Sequence, residues 1–522
     1  MTLTSLGYAL FLLSVIGVYW SAKTLNTRLW ALLGASIVFY GLVFYGSLPS
    51  ATYEPIDRLR GLAYLPLMLV SSLTNFQLGR FLGKDSPLGE QRKDPNLSEE
   101  EWHYAQADWN QKRLTILWIG IGLNVILLLG FKYIPFLLAT LSYLGNWPQL
   151  RILADQLRTS VIAPLGFSFF SFECIAYLVD VYRGAPATSR LLRFTTYRFF
   201  FPKLISGPIM GYHAMAKQLQ ELRFPQTNQL TEALWLIALG AFKKVVLADY
   251  LGILVSLSYG NLPRAGSGDI WLATFAYGLQ LYLDFSAYVD IARGSAQLLG
   301  IALPKNFESP YFTTSIADFW RRWHMTLGNW LRNYLYFPLG GSRQGLKRTC
   351  FNLFIVMVVA GLWHGANWGF VVWGVLHGLA LVCHRLMVEL GQRLEWVQRW
   401  WRSLLGTCVA WVLTQMFVFM AWIFFRLPNL SESWWAFTHL VGHGADIQFA
   451  QKVYLDVSGL DRLQITILMA LLVAVMGLFY GLKRATQLQL NWPVKLVLTP
   501  LCLYAILQLA PQGSLPYIYF DF

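Results

Sequence analysis

Two histidines stand in an aromatic, basic stretch of an otherwise apolar chain. Phe319-Trp-Arg-Arg-Trp-His324 opens the stretch, and Gly361-Leu-Trp-His-Gly-Ala-Asn-Trp368 closes it. Imidazole is basic near neutral pH, and in its neutral form one ring nitrogen donates while the other accepts. Such a group among apolar residues suits general-base chemistry. On a helix, His324 shares a face with Trp320, Arg321, Leu327 and Gly328. The Trp and Arg content equally suits an amphipathic helix at a membrane interface, which leaves the histidine itself unexplained. Beside His364, Ala360 and Gly361 open space on one side, with Asn367 and Trp368 on the other. That space fits either a substrate or a second helix in close approach.

The other ionisable residues inside apolar runs are Glu173, Lys243, Lys244, Asp284, Asp290, His377 and His384. A charge at the bilayer centre costs roughly 2.5–3.5 kcal/mol on insertion scales, so each needs a partner or a task. Pairing of the three acids with Lys or Arg is the expected role. Use as proton or ion sites of a transporter is the rival one. On one continuous helix His377 would lie about 20 Å along and roughly 140° around from His364, too far to share a metal. Zinc needs three or four ligands, and nothing completes a set with His377 and His384. No metal site is expected, and those two histidines are read as structural.

The elements that must position these groups are membrane helices. The chain of 522 residues is 56% hydrophobic and 13% charged, against roughly 25% charged in soluble domains. Many apolar runs approach the roughly 20 residues that cross a bilayer core. The fold class is therefore an all-α polytopic membrane protein, with about 11 transmembrane helices (range about 10–13) plus re-entrant and interfacial segments. Residues 1–522 are expected to form a single membrane-embedded domain. Within it, 83–113 reads as a hydrophilic surface segment, with a short helix opened by Ser98-Glu-Glu-Glu101 and a separate span at 114–131. Segments 132–160 and 427–462 read as interfacial. Phe200–Pro208, broken by Pro and Gly, reads as re-entrant. Spans near 231–258 and 270–300 come before the 319–373 stretch, the first of them interrupted by Lys243 and Lys244; 350–365 lies within the stretch, 368–386 overlaps its end and 405–425 follows.

A net charge of +14 fits Lys and Arg flanking spans and meeting anionic headgroups, so membrane lipids are the expected partners and nucleic acid is not. The five cysteines form no Cys-x-x-Cys pair and read as small buried hydrophobes. The first apolar run reads as a retained span with an outside N-terminus. Lys23 and Arg28, the 83–113 segment and the Arg183–Lys203 loop then fall inside.

These residues resemble the membrane-bound O-acyltransferase family, most closely its bacterial branch of alginate O-acetylation and teichoic acid D-alanyl transfer. The resemblance rests on Phe319–His324, Trp330–Arg343 and Gly361–Asn367. It extends to Pro164–Glu173, Asp180–Gly184, Phe201–Pro208, Gly240–Lys244, Asp284–Ser286 and the terminal Tyr517–Phe522. It covers most of 110–425 plus the tail. Ala287, Val289, Arg293 and Ser342 depart from the pattern, which bears on subgroup and substrate. The resemblance implies tilted helices around a thin central tunnel, entered by a cytoplasmic acyl thioester from one side and an acceptor from the other. His364 matches the catalytic histidine, and His324 the second signature position.

From this follows an expected O-acyltransferase of the bacterial inner (cytoplasmic) membrane. It would move an acyl group, by expectation acetyl, toward hydroxyls of a cell-surface polysaccharide. By the resemblance acetyl-CoA is the expected donor, with a carrier-protein thioester as the alternative, and no bound cofactor is expected. The expected partners are an extracytoplasmic acyltransferase and proteins of a polysaccharide pathway. His364 would act as general base, and His324 would orient the acyl group or stabilise the oxyanion. Trp323 and Trp363 would wall the tunnel, with Asn367 in the substrate-binding set. Arg321, Arg322 and Arg332 would meet donor phosphates or, alternatively, anchor at headgroups. The rival from another class is a proton-coupled transporter or flippase for a glycan or lipid intermediate.

Overall fold

A computed structural model describes residues 2–47, 64–84, 99–160, 164–456, 459–486, 490–511 and 515–520. Among the described residues the regular structure is entirely helical. Among the described residues, seven helices are long and apolar enough to cross a membrane, and two shorter ones, Leu6–Ser21 and Ile134–Gly145, are apolar as well. The all-α, multi-pass class expected from composition is therefore the class found. Contacts divide the chain into two compact units, one of residues 1–225 with 295–303, the other of 226–294 with 304–522.

The first unit contains α1 (Leu6–Ser21), α2 (Leu25–Ser47), α3 (Tyr64–Leu82), α4 (Glu99–Lys132), α5 (Ile134–Gly145), α6 (Pro148–Ser160), α7 (Phe167–Tyr182), α8 (Leu191–Phe199) and α9 (Tyr212–Gln220). Helix α4 differs from expectation. No Gly or Pro interrupts 99–113, so the polar segment and the following span form one helix of 34 residues. Ser98, the expected cap, and residues 85–97 lie outside the described residues. The core of this unit gathers Leu33, Tyr40, Phe44, Met68, Phe167, Phe170, Cys174, Phe199 and Leu204. Glu173 lies at its edge and is ion-paired with Lys203 at 2.6 Å and Arg198 at 3.0 Å. Residues 201–206 run as successive turns, and every residue from Phe194 to Pro208 is buried. Irregular backbone enclosed by protein is what the re-entrant reading of this Pro- and Gly-broken segment requires.

The second unit holds the candidate site. It begins with α10 (Thr227–Phe242), a π turn at Lys243–Ala248, α11 (Asp249–Gly260) and α12 (Ser267–Leu298), whose last residues belong to the first unit. The π turn falls where the two lysines interrupt the apolar run. Its extra residue per turn lets adjacent side chains serve different partners. Lys243 meets Asp290 at 2.5 Å and Ser286 Oγ at 3.0 Å. Lys244 meets Asp284 at 2.7 Å and Asp249 at 2.8 Å.

The stretch opening at Phe319 is not one helix. It comprises α13 (Ile316–Arg322), α14 (Met325–Leu331), a π turn at Arg332–Tyr336, and then α15 (Gly345–His364) and α16 (Trp368–Arg393). Helices α17 (Glu395–Arg402), α18 (Leu404–Arg426), α19 (Leu430–Thr438), α20 (Arg462–Thr486) and α21 (Trp492–Leu509) follow. Helices α15 and α16 form a close hairpin. A Cβ on Gly374 would come within 2.6 Å of the Met357 carbonyl, and one on Gly361 would strike the Phe370 carbonyl. The small residues beside His364 thus make room for a helix.

Candidate active site

His324 sits between α13 and α14, where the sequence spacing predicts unbroken helix. Its φ is +43°, in the left-handed region that non-glycine residues seldom occupy. Asn306 holds it there. The Asn306 carbonyl accepts from Met325 N–H at 2.9 Å. Its side-chain Oδ1 accepts from Thr326 N–H at 3.0 Å, from Thr326 Oγ1 at 3.0 Å and from His324 Nδ1 at 3.2 Å. Asn306 therefore caps α14 from another segment of the chain. A peptide N–H can only donate, so the atom it meets is the amide oxygen, and His324 Nδ1 must carry the hydrogen. In the neutral ring Nε2 then keeps its lone pair. As an acceptor it could stabilise an oxyanion only if the ring were protonated.

His364 ends α15. Its Nδ1 donates to the Ala360 carbonyl at 2.7 Å, one turn back. The same logic leaves Nε2 as the basic atom. Both imidazoles are at most 2% exposed.

Aromatic rings enclose the pair. Trp363 lies 6.1 Å from His324 and 4.9 Å from His364, both edge-on. Tyr519, from the tail, lies 6.0 and 6.3 Å from the same two rings. Phe285 contacts His324 at 4.9 Å and stacks on Tyr519 at 3.8 Å. Trp373 and Phe425 meet His364 at 5.0 and 5.1 Å. The tail is fixed by the buried ion cluster, since Asp284 accepts from Ile518 N–H at 2.9 Å and Lys244 donates to the Pro516 carbonyl at 3.1 Å.

Of the residues singled out in the sequence, His324, His364 and Trp363 come together. Trp323 lies one ring further off, packed on Phe307, Tyr311, Phe319 and Trp422. Arg321 and Arg322 both pair with Asp318, at 3.7 and 3.0 Å. Arg322 also lines a cleft with Glu308, Tyr480, Lys483 and Arg484. Arg332 is exposed at the start of its π turn, and Asn367 is exposed at the N-cap of α16. His377 joins the site's aromatic cluster. The hairpin folds α16 back on α15, so Trp373 touches both His364 and His377, the latter at 4.8 Å. The separation expected along one continuous helix does not apply. His384 lines an open apolar groove with Cys383, Met387 and Thr414. Among the described residues, no three His, Cys, Asp or Glu side chains are grouped to hold a metal.

Asn306, Tyr519 and Trp373 were not legible as site residues. Nothing in the spacing around Asn306 links it to His324. Tyr519 stands in the sequence only as part of a terminal motif, and Trp373 only as the end of the aromatic, basic stretch 319–373.

Two buried imidazoles walled by aromatic rings have the chemistry to accept a proton from a hydroxyl. The family model of the membrane-bound O-acyltransferases matches residues 103–425. A Pseudomonas putida protein named "probable alginate O-acetylase" is 35% identical over 437 residues, covering 78% of this chain and 84% of its own. A Helicobacter pylori peptidoglycan O-acetyltransferase is 34% identical, with 62% of this chain and 65% of its own covered. A Streptococcus thermophilus teichoic acid D-alanyltransferase is 31% identical, with 43% of this chain and 57% of its own covered. Family model, long-range identity and apolar helices together make this chain a multi-pass membrane enzyme, an O-acyltransferase that belongs to the membrane-bound O-acyltransferase family.

Proposed function

We propose that this enzyme takes an acetyl group from a cytoplasmic thioester, acetyl-CoA, and passes it across the bacterial inner membrane. The destination is the hydroxyls of a cell-surface polysaccharide, reached with an extracytoplasmic partner protein. The acetyl group and the class of acceptor rest on the likeness to relatives named for alginate and peptidoglycan O-acetylation. The observation that carries the chemistry is the His364 tautomer, pinned by the Ala360 carbonyl so that Nε2 is the base.

His364 Nε2 takes the proton of the acceptor hydroxyl as its oxygen bonds to the thioester carbonyl carbon. The tetrahedral centre then collapses, the C–S bond breaks, and the imidazolium returns its proton to the leaving thiolate. His324, across the Trp363 and Tyr519 rings, presents an acceptor nitrogen that suits orienting a hydroxyl or amide of a substrate. Trp323 and Trp363 wall the path, and Asn367 lies at its rim. Arg321, Arg322 and Arg332 meet the donor phosphates. Bringing donor and acceptor together in a narrow path contributes several kcal/mol to the rate, and general-base help contributes roughly 10²–10⁴-fold.

The transporter reading would use Glu173, Asp284 and Asp290 as proton sites. All three stand in ion pairs with Lys or Arg, which favours the structural role for them. His364→Ala, assayed in membranes supplied with radiolabelled acetyl-CoA, should lower label transfer to polymer or partner by at least roughly a hundredfold. The variant should insert and purify at the parental yield. Full transfer by it would remove His364 from the mechanism.

A further inference from the structure

The Nδ1–H groups of His324 and His364 are both committed to oxygens of the chain, so their neutral rings offer only acceptor nitrogens. A thioester carbonyl under attack gains charge on oxygen and needs donors instead. Two lie beside His364. Trp373 and His377 are one turn apart on α16 and share a face. Their rings touch at 4.8 Å, and the Trp373 ring meets His364 edge-on at 5.0 Å.

The tautomer of His377 is also fixed. Trp320 Nε1–H donates to His377 Nδ1 at 3.3 Å. An indole nitrogen can only donate, so neutral His377 carries its hydrogen on Nε2, the reverse of the other two histidines. Both Trp373 and His377 are 0% exposed. Trp373 Nε1–H and His377 Nε2–H are buried, and neither has an acceptor among the described residues. Buried N–H groups are nearly always paired, because an unpaired one has lost its hydration for nothing. Two such donors on touching rings, beside His364, leave a buried demand for an acceptor atom.

We propose that Trp373 Nε1–H and His377 Nε2–H bind the carbonyl oxygen of the acyl thioester and the oxyanion it becomes. The assignment rests on the proposed role of His364 as base and deepens it. As the hydroxyl oxygen bonds to the carbonyl carbon, the C=O π pair moves to oxygen, where the two N–H groups hold it. The pair returns to the C–O bond as C–S breaks, and neither N–H proton is transferred. Trp320, Phe417 and Trp422 close around His377 at 5.1, 5.2 and 6.2 Å. They exclude water where such donors are most effective.

The test has two readouts on full-length protein in nanodiscs. First, acetyl-CoA labelled with ¹³C at the thioester carbonyl is bound to the His364→Ala variant and its carbonyl stretch recorded by difference infrared spectroscopy. The band should lie below that of free acetyl-CoA, and adding His377→Phe should move it back toward the free position. Second, in the parental background His377→Phe should lower kcat by roughly 10²–10³-fold while KM for acetyl-CoA stays within about twofold. His377→Gln, which keeps an N–H donor, should recover at least roughly tenfold of that loss. If His377→Phe does not purify, Trp373→Phe keeps a ring in place and supplies the same two readouts. Parental kcat in His377→Phe, or a carbonyl band that ignores the substitution, overturns the assignment. Full turnover by His364→Ala would instead overturn the base on which it rests. Absence of any bound carbonyl band removes the donor and this proposal together.

Discussion

Asn306 decides which nitrogen of His324 carries the hydrogen. Its one amide oxygen receives the His324 ring, the Thr326 peptide N–H and the Thr326 hydroxyl. Asn306→Ala would uncap α14 and release the ring at once. Loss of a capping side chain costs about 1–2 kcal/mol, so the purified variant should unfold at a lower temperature in a thermal shift assay. Its acyl transfer should fall further than that destabilisation accounts for, by roughly tenfold or more, because a free imidazole can populate the wrong tautomer. Parental activity with parental unfolding temperature would mean that the ring is held by its aromatic neighbours alone. At this scale the sequence is an uneven guide. His364 and Trp363 can be read from a short local motif because the pinning bond of His364 is itself local, to Ala360. The kink at His324 cannot, since no Gly or Pro marks it and its cause is a hydrogen bond from another segment. The contact of His377 with the ring beside His364 is hidden for the same reason: it depends on the hairpin.

The hairpin of α15 and α16 is the element that assembles the site, and glycine sets its spacing. Two helices of ordinary side chains pack 8–10 Å apart, whereas Gly374 faces the Met357 carbonyl with no room even for a methyl group. That approach lets Trp373 reach His364 and places His377 one turn beyond. Gly374→Leu should therefore push the helices apart. Overpacking of this kind costs about 1–3 kcal/mol, visible as a lower unfolding temperature, and acyl transfer should drop below detection while His364 remains present. If Gly374→Leu retains full activity, the close approach is not what positions His364. Periodicity and length are a good guide to these elements, because lipid-spanning helices carry long apolar runs. The spans near 350–365, 368–386 and 405–425 correspond to α15, α16 and α18. Polarity misleads only at α4, where the charged run 99–113 continues the helix. Hydropathy reports the environment of a segment, and at 99–113, which holds no Gly or Pro, the helical backbone continues through the change of environment.

Across the whole molecule, the buried charges separate enzyme from transporter. Glu173 is shared by Arg198 and Lys203, Asp284 by Lys244, and Asp290 by Lys243. Removing one partner of a buried pair such as Lys203–Glu173 or Lys244–Asp284 costs about 3–5 kcal/mol, because the other charge is left unmatched, and at half-buried Lys243–Asp290 the cost is smaller. A carrier that loads and unloads protons on these acids would face that cost on every cycle, whereas a scaffold never breaks them. Under the proposed function, the energy for acyl transfer lies in the C–S bond of a thioester donor rather than in an ion gradient. In sealed inside-out vesicles supplied with labelled acetyl-CoA, a protonophore should leave the initial rate of acyl transfer within about twofold of its value in energised vesicles. That expectation follows from the charges remaining paired throughout turnover. The complementary measurement substitutes Asp290→Asn, which leaves Lys243 with Ser286 as its remaining partner. Stability should fall while the ratio of rates with and without protonophore stays the same. A rate that follows the gradient in the parental protein, and loses that dependence in Asp290→Asn, would show that the acids carry protons and that the fold moves its substrate by a different engine.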